Sequence, residues 1–152
     1  MIDFNTAFSI ANLGIVPFWL LLILAPRWHV TDLLSQSILV PIVMGVVYSS
    51  FAFGGAFFGP NVPEGGGFES FDALMILFSS PAAVFAGWLH YLVFDFFVGA
   101  WEVRDAQKRG ISHILLIPCL LATFLLGPAG LLLYVVVRAA LKKGGWRLDQ
   151  AG

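Results

Sequence analysis

Trp88-Leu89-His90-Tyr91-Leu92-Val93-Phe94-Asp95-Phe96-Phe97 sets a histidine and an aspartate into the middle of an apolar run, the third of four such stretches. An ionisable pair is costly in hydrocarbon, so inside a membrane span it marks a functional site facing the interior of a helix bundle. The rest of the chain fits a membrane as well. Of its 152 residues, 59% are hydrophobic and 11% charged, with a mean hydropathy of +0.90, far from the make-up of an ordinary soluble domain. About 20 residues cross the hydrocarbon. The expected fold is therefore a single transmembrane domain over 1–152, an all-α integral membrane four-helix bundle with kinked helices. Its spans fall at about 5–25, 33–53, 82–103 and 114–137.

The ends of these stretches carry the usual punctuation. The first stops at Pro26-Arg27-Trp28-His29, where a proline, a cation and an interfacial tryptophan coincide. Thr31 or Asp32 is expected to cap the second, whose Pro41 removes a donor and needs a neighbour for the freed carbonyl. Gly59-Pro60-Asn61-Val62-Pro63-Glu64-Gly65-Gly66-Gly67 reads as a loop too rich in glycine to hold one shape. Phe68 to Phe78 suits a short interfacial helix. Ser80 and Pro81 open the third span, which runs to Gly110. If its first 20 residues cross, Glu102, Arg104, Asp105, Lys108 and Arg109 protrude as a wet extension, with Asp105 and Arg109 spaced for an exposed ion pair. In the fourth, Gly127-Pro128-Ala129-Gly130 predicts a kink or an unwound turn.

Several functions are excluded by supply. A net charge of −1 with scattered basic residues leaves no footprint for nucleic acid. Cys119 is the only cysteine and reads as packing. Lys108, Lys142 and Lys143 lie near or beyond span ends, so a core Schiff base is not available. Three histidines are too few for a membrane di-iron centre. Before the first span stands Asp3 and no cation, which argues against a removable signal peptide. Four spans place Arg27, Arg104, Lys108 and Arg109 on one face and Arg138, Lys142, Lys143 and Arg147 on the other. That ties the positive-inside count; both termini are expected on the cytoplasmic side.

At about 100° per residue, with His90 at zero, Asp105 falls near 60°, Glu102 near 120° and Asp95 near 140°, on one side of the third helix. Asp95 is roughly 7 Å along the axis from His90, and Glu102 roughly 10 Å further. These three are the candidate catalytic residues: Asp95, or secondarily Glu102, as a desolvated general acid and His90 as proton acceptor. The plain structural alternative makes His90 a donor to a carbonyl freed by Pro41 or Pro128, and Asp95 a protonated acid bonded to a hydroxyl. A metal would need ligands from other spans, which offer only Asn12, Gln36 and hydroxyls such as Tyr48, Ser49, Ser50, Thr123 and Tyr134, so a bound metal is poorly supplied. A proton or ion path through His90, Asp95 and Glu102 lacks ionisable groups on the other spans to continue it. Fifteen phenylalanines and five tryptophans suit walls for a long apolar ligand. The partners expected are thus a hydrophobic small molecule, carotenoid or lipid, and the membrane lipid itself; oligomerisation is left open.

The stretch from Trp88 to Gly99, with Gly110-Ile111, Pro118-Cys119-Leu120-Leu121, Thr123-Phe124 and Gly127-Pro128-Ala129-Gly130-Leu131-Leu132, resembles the abscisic-acid-deficient-four-like family. Asn12, Pro17 and Trp19 extend the likeness loosely into the first span. The resemblance implies a small four-helix membrane protein linked to neoxanthin synthesis from violaxanthin; without a long transit peptide, the chain looks like a bacterial relative in a cytoplasmic membrane. It further implies an epoxycarotenoid isomerisation by acid and base, with no cofactor required. A non-catalytic pigment or lipid binder, or an accessory subunit, is the alternative.

Overall fold

The computed structural model describes residues 3–58 and 61–144, and most of these residues are helical, with no strand among them. The elements are α1 (Phe4–Leu24), α2 (His29–Leu34), α3 (Leu39–Phe51) followed by a kinked turn at Ala52–Ala56, α4 (Phe71–Leu77), α5 (Pro81–Lys108), α6 (His113–Leu126) and α7 (Pro128–Ala140). Three helical stretches, Phe4–Leu24, His29–Ala56 and Pro81–Lys108, are long and apolar enough to cross a membrane. The protein is a membrane protein. The fourth apolar stretch consists of two shorter helices, 14 and 13 residues long, broken at Gly127.

Local chemistry explains most of these boundaries. Asp3 begins α1 by accepting from the amides of Asn5, at 3.1 Å, and Thr6, and from the Thr6 hydroxyl. That hydroxyl, with the amides, holds the Asp3 carboxyl below the usual carboxylate range. Neither Thr31 nor Asp32 caps the second stretch: α2 already starts at His29 after Trp28, and the Thr31 hydroxyl instead donates back to Ala25 O at 2.6 Å. Pro41 stands in the first turn of α3, where an N–H has no intrahelical partner, so it frees no helical carbonyl. Pro128 occupies the equivalent place in α7. The Ser70 side chain caps α4 through the Ala73 amide at 3.1 Å, giving the short helix expected between Phe68 and Phe78.

The chain divides into two compact units. The first takes Met1–Ile15 and Pro41–Val93 and is knit by rings. Phe85 packs edge-on against Phe4 at 6.0 Å and Phe51 at 4.9 Å, and Trp88 lies tilted against Phe8 at 5.2 Å. The Trp88 indole donates to Asn12 Oδ1 at 3.1 Å. The glycine-rich loop is not shapeless over its described part: the Gly67 amide donates to Ala73 O at 3.1 Å, and a Cβ on Gly66 would fall 3.1 Å from the Leu77 backbone. Gly59 and Pro60, also read as loop, lie outside the described residues.

The second unit takes Val16–Val40 and Phe94–Gly152. Its apolar centre is the buried Trp19, edge-on to Phe96 at 5.9 Å and Phe124 at 5.3 Å. A Cβ on Gly99 would fall 2.6 Å from that indole, so the helix needs glycine there to come this close. The turn between α1 and α2 is pinned to the end of α5, because Gln36 and Gln107 both donate to Pro26 O, at 2.6 and 3.0 Å, and Arg104 donates to Gln36 O. His113 contacts Ile23 O at 2.7 Å.

Candidate functional site

Where α3 ends, the backbone kinks at Gly55. Gly55 has φ +122°, a conformation closed to most side chains. Here Phe57 and Phe58 are thrown out of helical register. Phe57 then meets Phe68 at 5.6 Å and Phe78 at 6.2 Å, while Phe58 stacks on Phe53 at 5.7 Å. These rings, with Tyr48 and Val84, line a cavity of about 650 Å³, within the range of roughly 300–1,000 Å³ typical of ligand pockets. His90 lines it too, its ring edge-on to Tyr48 at 5.4 Å. The walls are almost wholly apolar, so His90 and Tyr48 are the groups able to orient a ligand or exchange a proton with it.

Asp95 and Glu102 belong to the second unit and to a different setting. Both are buried, at 8% and 0% exposure, two helical turns apart on one face of α5. The Gly127 turn covers Asp95 so closely that a Cβ there would lie 2.5 Å from Asp95 Oδ1. Glu102 is held by Thr123, whose hydroxyl sits 3.0 and 3.1 Å from the two carboxylate oxygens. Further along, one oxygen of Asp105 accepts from Arg109 Nε at 2.7 Å, from the Tyr134 hydroxyl at 2.7 Å and from Arg138 at 3.1 Å. Arg109 also donates to Lys143 O at 3.0 Å.

The wet extension expected beyond Trp101 is thereby corrected for three of its five residues, while Lys108 is exposed and Arg104 half-buried. Glu102, Asp105 and Arg109 are all buried, because α6 and α7 lie over this length of α5 and supply Thr123, Tyr134 and Arg138. The Asp105–Arg109 pair forms at the anticipated spacing but as a buried ion pair, doubled by Arg138. The sequence signal for that partner was available: Arg138 stands four residues from Tyr134 in an apolar helix, and so on the same side of it. The ring wall had a weaker signal, the Gly54-Gly55 pair at the end of a span. The alternative in which His90 serves a carbonyl freed by Pro41 or Pro128 loses its premise, since both prolines sit in first turns.

Of the scattered metal-ligand candidates, Asn12 is engaged with Trp88 and with Phe8 O, Gln36 with Pro26 O, and Thr123 with Glu102. Among the described residues no three His, Cys, Asp or Glu side chains converge on a metal-sized space. Buried Cys119 leans on Leu115 O at 3.6 Å within its own helix.

Comparison with curated proteins and with solved structures finds no match. The model of one family does match, over residues 6–134, which takes in the ring-lined cavity, the whole of α5 and the start of α7. The chain belongs to the ABA DEFICIENT 4-like (ABA4-like) family.

Proposed function

We propose that the protein binds a long polyene, an epoxycarotenoid or related isoprenoid, in the ring-lined cavity of the first unit and isomerises it. The observation that carries this reading is the cavity: about 650 Å³, walled by Phe53, Phe57, Phe58, Phe68 and Phe78, with a histidine on its lining. Such walls favour an extended apolar ligand through contact area, and a few polar groups fix its orientation. Family membership supports a substrate in the carotenoid class, through the link to neoxanthin synthesis. A bacterial cytoplasmic membrane is the setting proposed.

The chemistry needs no electrons. A proton delivered to the epoxide oxygen allows its C–O bond to break, and a base removes a neighbouring vinylic proton, so the ring opens to an allene bearing a hydroxyl. Atoms balance as an isomerisation, and neither a cofactor nor a metal is required. His90 is proposed as the base and Tyr48, the other proton-bearing group on the cavity lining, as the acid. Asp95 and Glu102, the acids expected from the sequence, belong to the second unit and are not among the residues that line the cavity. An acid or base in place contributes about 10² to 10⁴ in rate.

The test is turnover of an epoxycarotenoid by purified protein without added redox cofactor, read by chromatography. His90→Ala and Tyr48→Phe are each expected to reduce turnover at least 100-fold while the helical content stays unchanged. Full activity in both variants would remove the mechanism. A second reading is favoured by the near absence of polar groups on the cavity wall: a pigment or lipid binder that does no chemistry. In that case the ligand leaves the purified protein chemically unchanged, whatever stands at position 90.

A further inference from the structure

We propose that α6 and α7 form a re-entrant hairpin, entering and leaving the membrane on one face, and that this face is the cytoplasmic one. The proposal concerns how the chain is threaded and does not rest on the reaction proposed above.

Length is the first argument. At 14 and 13 residues, α6 and α7 are about 21 and 20 Å long, against about 30 Å of hydrocarbon. Neither crosses alone.

Direction is the second, and it comes from contacts within one unit. Descending α5 from Asp95 through Glu102 and Asp105 to Arg109 covers about 21 Å. The partners met on the way are Gly127 at the turn, Thr123 four residues before it, Tyr134 and Arg138 seven and eleven after it, and then Lys143. Both arms therefore run down the same stretch of α5 from a turn at the level of Asp95. A straight or kinked single span would carry Tyr134 and Arg138 beyond Asp95, away from Asp105. Gly127 makes the reversal at φ +49°, ψ −102°. Gly130 lets the arms close, because a Cβ there would collide with the Thr123 backbone. Irregular backbone at membrane depth is tolerated where protein surrounds it, and both glycines are buried.

Charge is the third. Four crossings split the eight Lys and Arg residues evenly between the two faces. A hairpin puts the end of α7 beside the end of α5, so Arg104, Lys108, Arg109, Arg138, Lys142 and Lys143 share one face, and Arg147 follows in sequence. Arg27 joins them, since its turn is fastened to Gln107 and Arg104. Residues 1–15 and 41–93 contain no Lys or Arg at all. Positively charged flanks stay on the cytoplasmic side. Three crossings plus a hairpin then leave the N-terminus on the opposite side from α7's end, unlike the threading in which both termini are cytoplasmic.

The experiment labels single cysteines with a membrane-impermeant maleimide, in the full chain carrying Cys119→Ala, in right-side-out and inverted bacterial membrane vesicles. The exposed positions Arg27→Cys, Ser112→Cys and Lys142→Cys are expected to label at least tenfold better in inverted vesicles, and the exposed Glu64→Cys at least tenfold better in right-side-out ones. Only protein that purifies as a monodisperse species is scored, which removes misfolded variants. Labelling of positions 112 and 142 from opposite faces would establish a fourth crossing and overturn the hairpin. Labelling of both from the outside would overturn the orientation.

Discussion

Up to Val93, α5 lies among rings; from Glu102 onward its buried contacts are mostly between charged and polar groups. In the first stretch Phe85 and His90 meet Phe4, Phe51 and Tyr48 edge-on and Trp88 meets Phe8 at a tilt, and a sizeable cavity stays open beside them. In the second, Glu102, Asp105 and Arg109 are covered by α6 and α7, each bonded to a named partner. A loosely filled apolar wall accepts a ligand at little cost to the fold. A buried carboxylate shared by two guanidinium groups and a phenol does not tolerate loss of one member, because the remaining charges stay in a low dielectric without compensation. The contrast separates a region shaped for binding from a region that holds the helices in place.

Four substitutions probe it, each read as the free energy of unfolding in mixed detergent micelles. Asp105→Ala strands Arg109 and Arg138 together and is expected to cost about 3–5 kcal/mol; a loss below about 1 kcal/mol would mean the charges are hydrated and the second unit is held by something else. Gly130→Ala forces α7 away from the Thr123 backbone and should cost about 1–3 kcal/mol, with no loss if α6 and α7 do not meet there. Thr123→Val keeps the shape but removes the Glu102 partner, for about 1 kcal/mol. His90→Ala should change stability by less than about 0.5 kcal/mol, as befits an exposed side chain, while turnover collapses. An equal fall in stability would make His90 a packing residue and erase the difference between the two stretches.

Much of this was legible in the sequence. The apolar runs, the start of α5 at Pro81, the short helix after Ser70 and the break at Gly127-Pro128 follow from composition and from residues with known backbone preferences. The break was visible, but its angle was not: whether a Gly-Pro turn bends a helix or reverses it depends on what the arms touch, here Thr123 against Gly130 and Tyr134 against Asp105. For the same reason Asp105 and Arg109 read as a solvated pair. A spacing of four fixes that two charges meet on a helix, and says nothing of a third helix laid over them. Pro41 misled in the opposite direction, because its effect hangs on where α3 begins. The cavity was the least legible part. Phenylalanines in a span read equally as lipid-facing or ligand-facing, and only the kink at Gly55 lets Phe57 meet Phe68 and Phe78 around one space.

The central claim is that a polyene sits in that space, and circular dichroism in the visible band tests it directly. A carotenoid has no strong signal there in micelles and gains one when a chiral pocket holds it. Titrating an epoxycarotenoid into the purified protein is expected to produce a saturable induced signal, and Val84→Trp, which fills the cavity from its own wall, is expected to abolish it while His90→Ala preserves it. An induced signal of the same size and affinity in Val84→Trp would place the ligand elsewhere and contradict the account.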